Sequence, residues 1–248
     1  MSRVRLIPLG VGEAFSAMNY TTCMALGCDD DWILIDCPHP IRKILREGSD
    51  LAAIPLDLTN IRAVVLSHLH ADHCSGLEDY AFHSHFALGR KAVVLAHPTV
   101  SARLWSNVLS GGMDRLGPDQ SKSFADYFDL IDLDSSIPTT FGPFAIECRP
   151  TMHSIPTTAF KIAAAGRTLG FSADSKFDPT LIDWLAPADL ILHESTTLDN
   201  SPVHTSYRRL AALPEPLRRK MRLFHYADDF DLAASLIEPL RQGVSLCV

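Results

Sequence analysis

Between His68 and His73 the chain places three imidazoles and a carboxylate within six positions, as His68-Leu69-His70-Ala71-Asp72-His73. Imidazole and carboxylate are the donors that suit zinc and similar borderline divalent ions. The run opens where the apolar stretch Ala63-Val64-Val65-Leu66 ends. In extended backbone, residues two apart point the same way, so His68 and His70 can reach one ion together. Asp72 and His73 lie where the chain turns toward a helix beginning near Ser75-Gly76, which lets them face a second ion. Two ions need further donors, and three later positions offer them. His153 follows Cys148-Arg149-Pro150, Asp174 closes Gly170-Phe171-Ser172-Ala173-Asp174, and His225 follows Met221-Arg222-Leu223-Phe224. Each lies just past an apolar segment, where an α/β sheet gathers its active-site groups.

The elements that must position these groups can be read from the pattern. Short runs rich in β-branched residues and bounded by turn residues predict strands. They are Val4–Leu9, Tyr20–Leu26, Trp32–Ile35, Ala63–Leu66, Ala92–Leu95, Phe144–Cys148, Ala159–Ala164, Thr168–Phe171 and Leu190–Leu192. Helices are expected over about 40–47, 76–88, 99–110, 178–185 and 230–240. This order predicts an α/β sandwich, with sheets inside and helices outside. No linker divides the chain, so residues 1–248 read as one domain, with Ser110–Ser123 as a surface excursion. Aromatic and apolar residues in 101–130, among them Leu104, Trp105, Val108, Leu109, Phe124, Tyr127 and Phe128, are spaced for core packing. A lid or a homodimer surface is the alternative.

Composition narrows the function. The formal charge of −7 argues against broad electrostatic binding to nucleic acid. The chain has no apolar run near the roughly 20 residues of a membrane span. Its start, Met1-Ser2-Arg3-Val4-Arg5, lacks a signal-peptide pattern, which reads as a cytoplasmic protein. The six cysteines form no Cys-x-x-Cys pair and read as reduced thiols. A basic cluster at 208–222 reads equally as phosphate contacts or as a solvated helix face. His83 and His85, two apart on a helix, do not share a face and read as ordinary packed histidines.

Taken together, these motifs resemble the metallo-β-lactamase superfamily, and within it the ribonuclease Z-like phosphodiesterase branch. Leu9–Phe15 resembles that branch's glycine-rich opening turn, and Trp32–Cys37 its second hairpin. His68, His70, Asp72 and His73 match the signature motif, and His153, Asp174 and His225 the later single-ligand motifs. Leu192-His193-Glu194-Ser195-Thr196 resembles the His-Glu-Ala-Thr motif, and His204 the histidine that works with its glutamate. The resemblance implies a four-layer αβ/βα sandwich. It implies that His68, His70 and His153 bind one divalent ion, that Asp72, His73 and His225 bind another, and that Asp174 bridges them. Zinc is the expected metal, with Mn2+ or Fe2+ as alternatives.

Two divalent ions, two aspartates and a bridging hydroxide leave a site near +1, which favours a small anionic substrate. Asp72, Glu194 and His204 are the catalytic candidates. The bridging hydroxide would attack the phosphorus of a small or cyclic phosphodiester, and His204, oriented by Glu194, would serve the leaving oxygen. The sequence departs from ribonuclease Z in two places. Only about 20 residues separate His153 from Asp174, leaving no room for the arm that grips tRNA. Cys37-Pro38-His39-Pro40 stands where Cys-Gly-Glu-Gly is usual. Long nucleic acid is therefore not the expected partner. A lactone, thioester or other ester opened at the same centre, an iron-dependent oxidation, and a binding protein without turnover stay open.

Overall fold

The computed structural model describes residues 3–248. Met1 and Ser2, the start of the segment read as lacking a signal peptide, lie outside the described residues. The strands, in chain order, are β1 (Val4–Gly10), β2 (Cys23–Cys28), β3 (Asp31–Ile35), β4 (Ile61–Leu66) and β5 (Ala92–Ala96). A small hairpin, β6 (Arg115–Gly117) and β7 (Gln120–Ser121), is followed by β8 (Phe128–Asp132), β9 (Thr139–Phe141), β10 (Phe144–Pro150) and β11 (Thr158–Ala164). The last are β12 (Arg167–Phe171), β13 (Leu190–Glu194), β14 (Met221–Phe224) and β15 (Leu246–Cys247).

Two mixed sheets result, ordered β15-β1-β2-β3-β4-β5-β8 and β14-β13-β12-β11-β10-β9. In the first, β1 to β3 are antiparallel and β3, β4, β5 and β8 run parallel. In the second, β9 to β12 are antiparallel and β12, β13 and β14 run parallel. The apolar runs of β4 and β5 fit strands covered on both faces. One cluster draws Leu26, Ile35 and Val65 from the first sheet and Phe160, Phe171 and Leu192 from the second, so the sheets face each other. Phe171 stacks between Phe160 and Phe224, at 6.2 and 4.8 Å between ring centroids. Burying one such ring contributes about 1.5–3 kcal/mol.

Helices close both outer faces. Ile44 and Leu45 of helix Ile41–Ala52, Tyr80 of helix Leu77–Phe82 and Leu104 of helix Pro98–Leu104 pack with Ile7, Leu34 and Val64. On the second sheet, helix Pro179–Leu185 lies so close that Leu185 Cδ2 is 3.0 Å from where a Cβ on Gly170 would sit. The layers are thus helix, sheet, sheet, helix, as the pattern predicted.

Three expectations need correction. The helix expected over 230–240 is replaced by turns. Asp231 Oδ1 accepts the N–H groups of Ala233 and Ala234, both at 3.0 Å, as at a helix start, but Ser235 Oγ then donates to the Ile237 carbonyl at 2.6 Å and accepts its N–H at 3.3 Å, closing a turn in place of helical pairing. The segment then lies beside β14, where Leu240 N–H donates to the Leu223 carbonyl at 2.8 Å. The expected strands leave out β8, Phe128–Asp132, which pairs parallel to β5. The β-strand expected from Tyr20 begins at Cys23. In 101–130, Leu104, Leu109, Tyr127 and Phe128 are buried as expected of a core, whereas Val108 is exposed. His85 packs on Tyr127 and Phe86, away from any ligand role.

Candidate metal centre

The candidate residues gather at one rim. His68, His70, Asp72 and His73 follow β4, His153 follows β10, Asp174 follows β12, Glu194 ends β13 and His225 follows β14. Strands β12, β13 and β14 run parallel, and their carboxyl ends lie together, the place where such sheets hold ligands. Three of the turns leave the strand through positive φ at non-glycine residues: Asp36 at 61°, Ala173 at 49° and His225 at 56°. Such conformations cost about 1–3 kcal/mol each and persist where the surroundings fix them. Here they re-aim the chain so that Asp36, Asp174 and His225 turn inward.

Two donor groups form. His68, His70, His153 and Asp174 make one, and Asp72, His73, Asp174 and His225 the other, with the donor atoms of each within 4.8 Å of one another. Asp174 belongs to both. Its Oδ2 lies 3.8 Å from both His68 Nε2 and His153 Nε2 and 3.4 Å from His225 Nε2, and its Oδ1 is 3.5 Å from His73 Nε2. Asp72 Oδ2 is 3.2 Å from His73 Nε2.

The partners behind the rings decide which nitrogens face inward bare. His153 Nδ1 is 3.0 Å from the Val203 carbonyl, which can only accept, so Nδ1 carries the proton. His73 Nδ1 lies 2.7 Å from the Asp36 carboxylate, which likewise only accepts. His225 Nδ1 pairs with Thr22 Oγ1 at 2.9 Å. Ser67 donates its hydroxyl to Asp36 Oδ2 at 2.8 Å and so accepts from His68 Nδ1 at 2.9 Å. The opposite nitrogens then present lone pairs. His70 Nδ1 sits 3.1 Å from both His68 Nε2 and His153 Nε2. With bonds of about 2.0–2.1 Å, tetrahedral donors lie roughly 3.3 Å apart. Converging lone pairs at this spacing suit a cation better than a hydrogen bond. His73 Nε2 and Asp174 Oδ1 are buried with no hydrogen-bond partner, which is the expected mark of metal donors. The residues present therefore fit a divalent metal centre.

Electrostatics agrees with this chemistry. Burial holds His68 well below the usual imidazole range and takes His225 down to about 4, so both stay neutral ligands. Burial opposes a charge on Asp174, yet the facing imidazoles of His225 and His73 and the hydrogen bond from His73 hold its carboxyl well below the usual range. Burial opposes a proton on His73, but Asp174 and Asp36 raise its pKa well above 6.5. In metal-free protein, that proton occupies the place a cation would neutralise.

Beside this centre, His204 Nδ1 is 3.3 Å from Glu194 Oε1 and 3.9 Å from Asp174 Oδ2. The same Glu194 oxygen accepts the N–H groups of Ser175 at 2.9 Å and Thr205 at 3.0 Å, tying the Asp174 and His204 loops together. Burial raises Glu194 to about 7. His204 is pushed down by burial, but the Glu194 bond and the surrounding carboxylates outweigh this and raise it to about 8. His193 points away and bonds the Glu194 carbonyl, as strand alternation predicts.

Two cavities flank the centre. One, of about 350 Å³, joins His204 to Lys176, Phe177, Ser201, Ser206 and Arg209. The other, of about 290 Å³, adjoins His70. The basic cluster at 208–222 is mostly occupied elsewhere. Arg219 pairs with Glu215, Arg222 with Glu238, Arg208 with Asp199, and Lys220 and Arg218 bond backbone carbonyls. Arg209, held over the Phe177 ring at 5.2 Å, is the member that lines the His204 cavity.

Sequence reading missed Asp36, Ser67 and Thr22, which hold the ligand rings from behind. The positions just after predicted strands, Asp36 among them, carried the only available signal.

The sequence profile of the Anti-Pycsar protein Apyc1 family matches residues 4–239. The Anti-Pycsar protein Apyc1 of Saccharibacillus brassicae is 31% identical over 243 residues, covering 95% of this chain and 96% of that protein. That of Paenibacillus harenae is 30% identical over 226 residues, covering 90% of each. Among solved structures, the metallo-β-lactamase fold protein YhfI from Bacillus subtilis aligns with a TM-score of 0.77 at 18% identity. That alignment covers 99% of this chain and 100% of YhfI. The chain carries the metallo-β-lactamase fold and belongs to the Anti-Pycsar protein Apyc1 family.

Proposed function

We propose that this protein is a dinuclear metal-dependent phosphodiesterase acting on a small or cyclic phosphodiester in the cytoplasm. Its relatives are named Anti-Pycsar proteins, and we extend that role to this chain. His68, His70 and His153 would hold one ion and Asp72, His73 and His225 the other, with Asp174 shared. Zinc fits this nitrogen-rich donor set, with Mn2+ or Fe2+ as alternatives. When bound, two such ions lower the pKa of water to about 7 and clamp attacking and leaving oxygens.

The observation that carries the reading is the Glu194–His204 pair beside Asp174. Hydrolysis of a phosphodiester consumes one water, forms a P–O bond to it and breaks the P–O bond to the leaving oxygen. That oxygen needs a proton. Protonated His204 is placed to supply it, and Glu194 fixes the ring through Nδ1, leaving Nε2–H free to donate. Asp72 Oδ2, 3.2 Å from His73 Nε2, would join it on the same ion. The segment between His153 and Asp174 is little more than the β11–β12 hairpin, with no inserted arm to grip long nucleic acid.

A lactone, thioester or other ester at the same centre is the second reading, since neither flanking cavity demands phosphate. A kinetic comparison of bis-(p-nitrophenyl) phosphate with a lactone panel separates them. Phosphodiester hydrolysis that His204→Ala reduces with the metals retained supports the proposal. Turnover of lactones alone overturns it.

A further inference from the structure

We infer that the cavity between helix Ile41–Ala52 and the loop at 56–58 binds a small phosphate monoester with an apolar or ring body. This site is separate from the metal centre. None of the residues lining it is a metal donor, and none lines either cavity flanking the centre. The inference does not depend on the phosphodiesterase reading.

Positive charge is concentrated on one face of this helix. Arg42 and Arg46 stand four residues apart and Lys43 and Arg46 three, so all three project from the same side. They line a cavity of about 440 Å³. Little in the molecule neutralises them. Among the described residues Arg42 makes no ion pair and no side-chain hydrogen bond. Lys43 and Arg46 share a single oxygen, Glu47 Oε1, at 3.8 and 3.9 Å. Glu47 does not line the cavity, and its other oxygen accepts the Tyr20 hydroxyl at 2.8 Å. The helix gains nothing from these cations either. Arg42 and Lys43 fall in its first turn, which holds no acidic residue and where the dipole disfavours positive charge.

The rest of the lining sets the ligand's chemistry. Leu45, Leu56 and Leu58 are buried and give the cavity an apolar floor. Asp57 is the remaining wall, and its Oδ1 accepts the Thr59 N–H at 3.3 Å. Three cations against this one carboxylate leave two positive charges in excess, on a chain whose formal charge is −7. A phosphate monoester carries about −1.5 to −2 at pH 7 and has three strong acceptor oxygens. It matches the excess in charge, and its oxygens suit guanidinium and ammonium donors. A carboxylate or a phosphodiester brings one charge and leaves the other cation unmatched. The organic group of the ester would cover the three leucines. Apolar walls with a few convergent charged groups, at this volume, are the usual form of a small-molecule site.

The test is calorimetric titration of metal-loaded protein with phenyl phosphate at about 0.15 M salt. Wild-type protein should bind it at one more site than Arg42→Ala/Arg46→Ala, whatever the metal centre itself takes up. Inorganic phosphate should bind that site about tenfold or more weakly, because it leaves the leucines bare. Arg42→Gln, a single change at an exposed side chain, should weaken phenyl phosphate there by about tenfold or more. Lys91→Ala removes an exposed cation outside the cavity and should leave the site intact. The same stoichiometry and affinity in wild type and the double variant overturn the inference. Unchanged affinity in Arg42→Gln overturns it as well, even where the double variant misfolds. An equal loss in Lys91→Ala would trace binding to net charge, and equal affinity for the two phosphates would take the leucines out of it. Either result overturns the inference, and none of these outcomes touches the phosphodiesterase reading.

Discussion

Replacing Asp36 by Asn tests how the metal centre is held, with almost no change in shape. The buried carboxylate accepts three hydrogen bonds: Ser67 N–H at Oδ1, and the Ser67 hydroxyl and His73 Nδ1–H at Oδ2. It thereby orients His73 directly and His68 through Ser67, one ligand in each donor group. Asn tolerates the positive φ of 61° at this position about as well as Asp, so backbone strain does not confuse the result. An amide, however, cannot satisfy both sides. If its NH2 faces Ser67 N–H, two donors oppose each other, at a cost of about 1–3 kcal/mol. If it faces His73, the proton of His73 moves to Nε2, where the metal must bind. Loss of such an orienting partner typically weakens metal affinity by about 10–100-fold. Competition titration of Zn2+ against a chromophoric chelator should show a loss in that range, with circular dichroism unchanged. Wild-type affinity in Asp36→Asn would refute the assignment of His73 Nε2 as a donor set by Asp36.

Three further outcomes follow from the same geometry. Thr22→Val removes the partner of His225 Nδ1 without changing volume, and should lower affinity for one ion by about tenfold in the same titration. Because the pKa of His73 is raised in metal-free protein, metal uptake should release its proton. Calorimetry in buffers of different ionisation enthalpy reads that release directly, and apparent affinity should fall as pH falls. The raised pKa of His204, about 8, gives the fourth expectation. Its proton-donating form is lost as pH rises through about 8, so kcat/KM should decline there. Glu194→Gln removes a partner that raises this pKa, so the decline should begin at lower pH, and His204→Ala should abolish it along with most activity.

The fold was readable where the physics is local. Val64, Val65 and their counterparts in β5 are apolar runs that only covered parallel strands need, and the donor run at 68–73 announces itself by residue type. The later donors His153, Asp174 and His225 could be placed because each follows an apolar strand. Three features escaped for physical reasons. The segment 230–240 has helical spacing, but the Ser235 side chain bonds both the carbonyl and the N–H of Ile237 and closes a turn there. Phe128–Asp132 becomes a strand only because β5 offers it an edge. Asp36, Ser67 and Thr22 act across the fold on rings that sequence places elsewhere. Thr22 and His225 are 203 positions apart, a pairing no local pattern encodes.

Metal content measured beside turnover addresses the central claim most directly. Protein stripped by chelator, then titrated with Zn2+ and analysed by elemental mass spectrometry, should bind two ions per chain and regain hydrolysis as the second site fills. Asp174→Ala, which takes the shared donor from both groups, should bind fewer ions and stay inactive. Full hydrolysis by metal-free wild-type protein, or two ions retained in Asp174→Ala at wild-type affinity, would contradict the account.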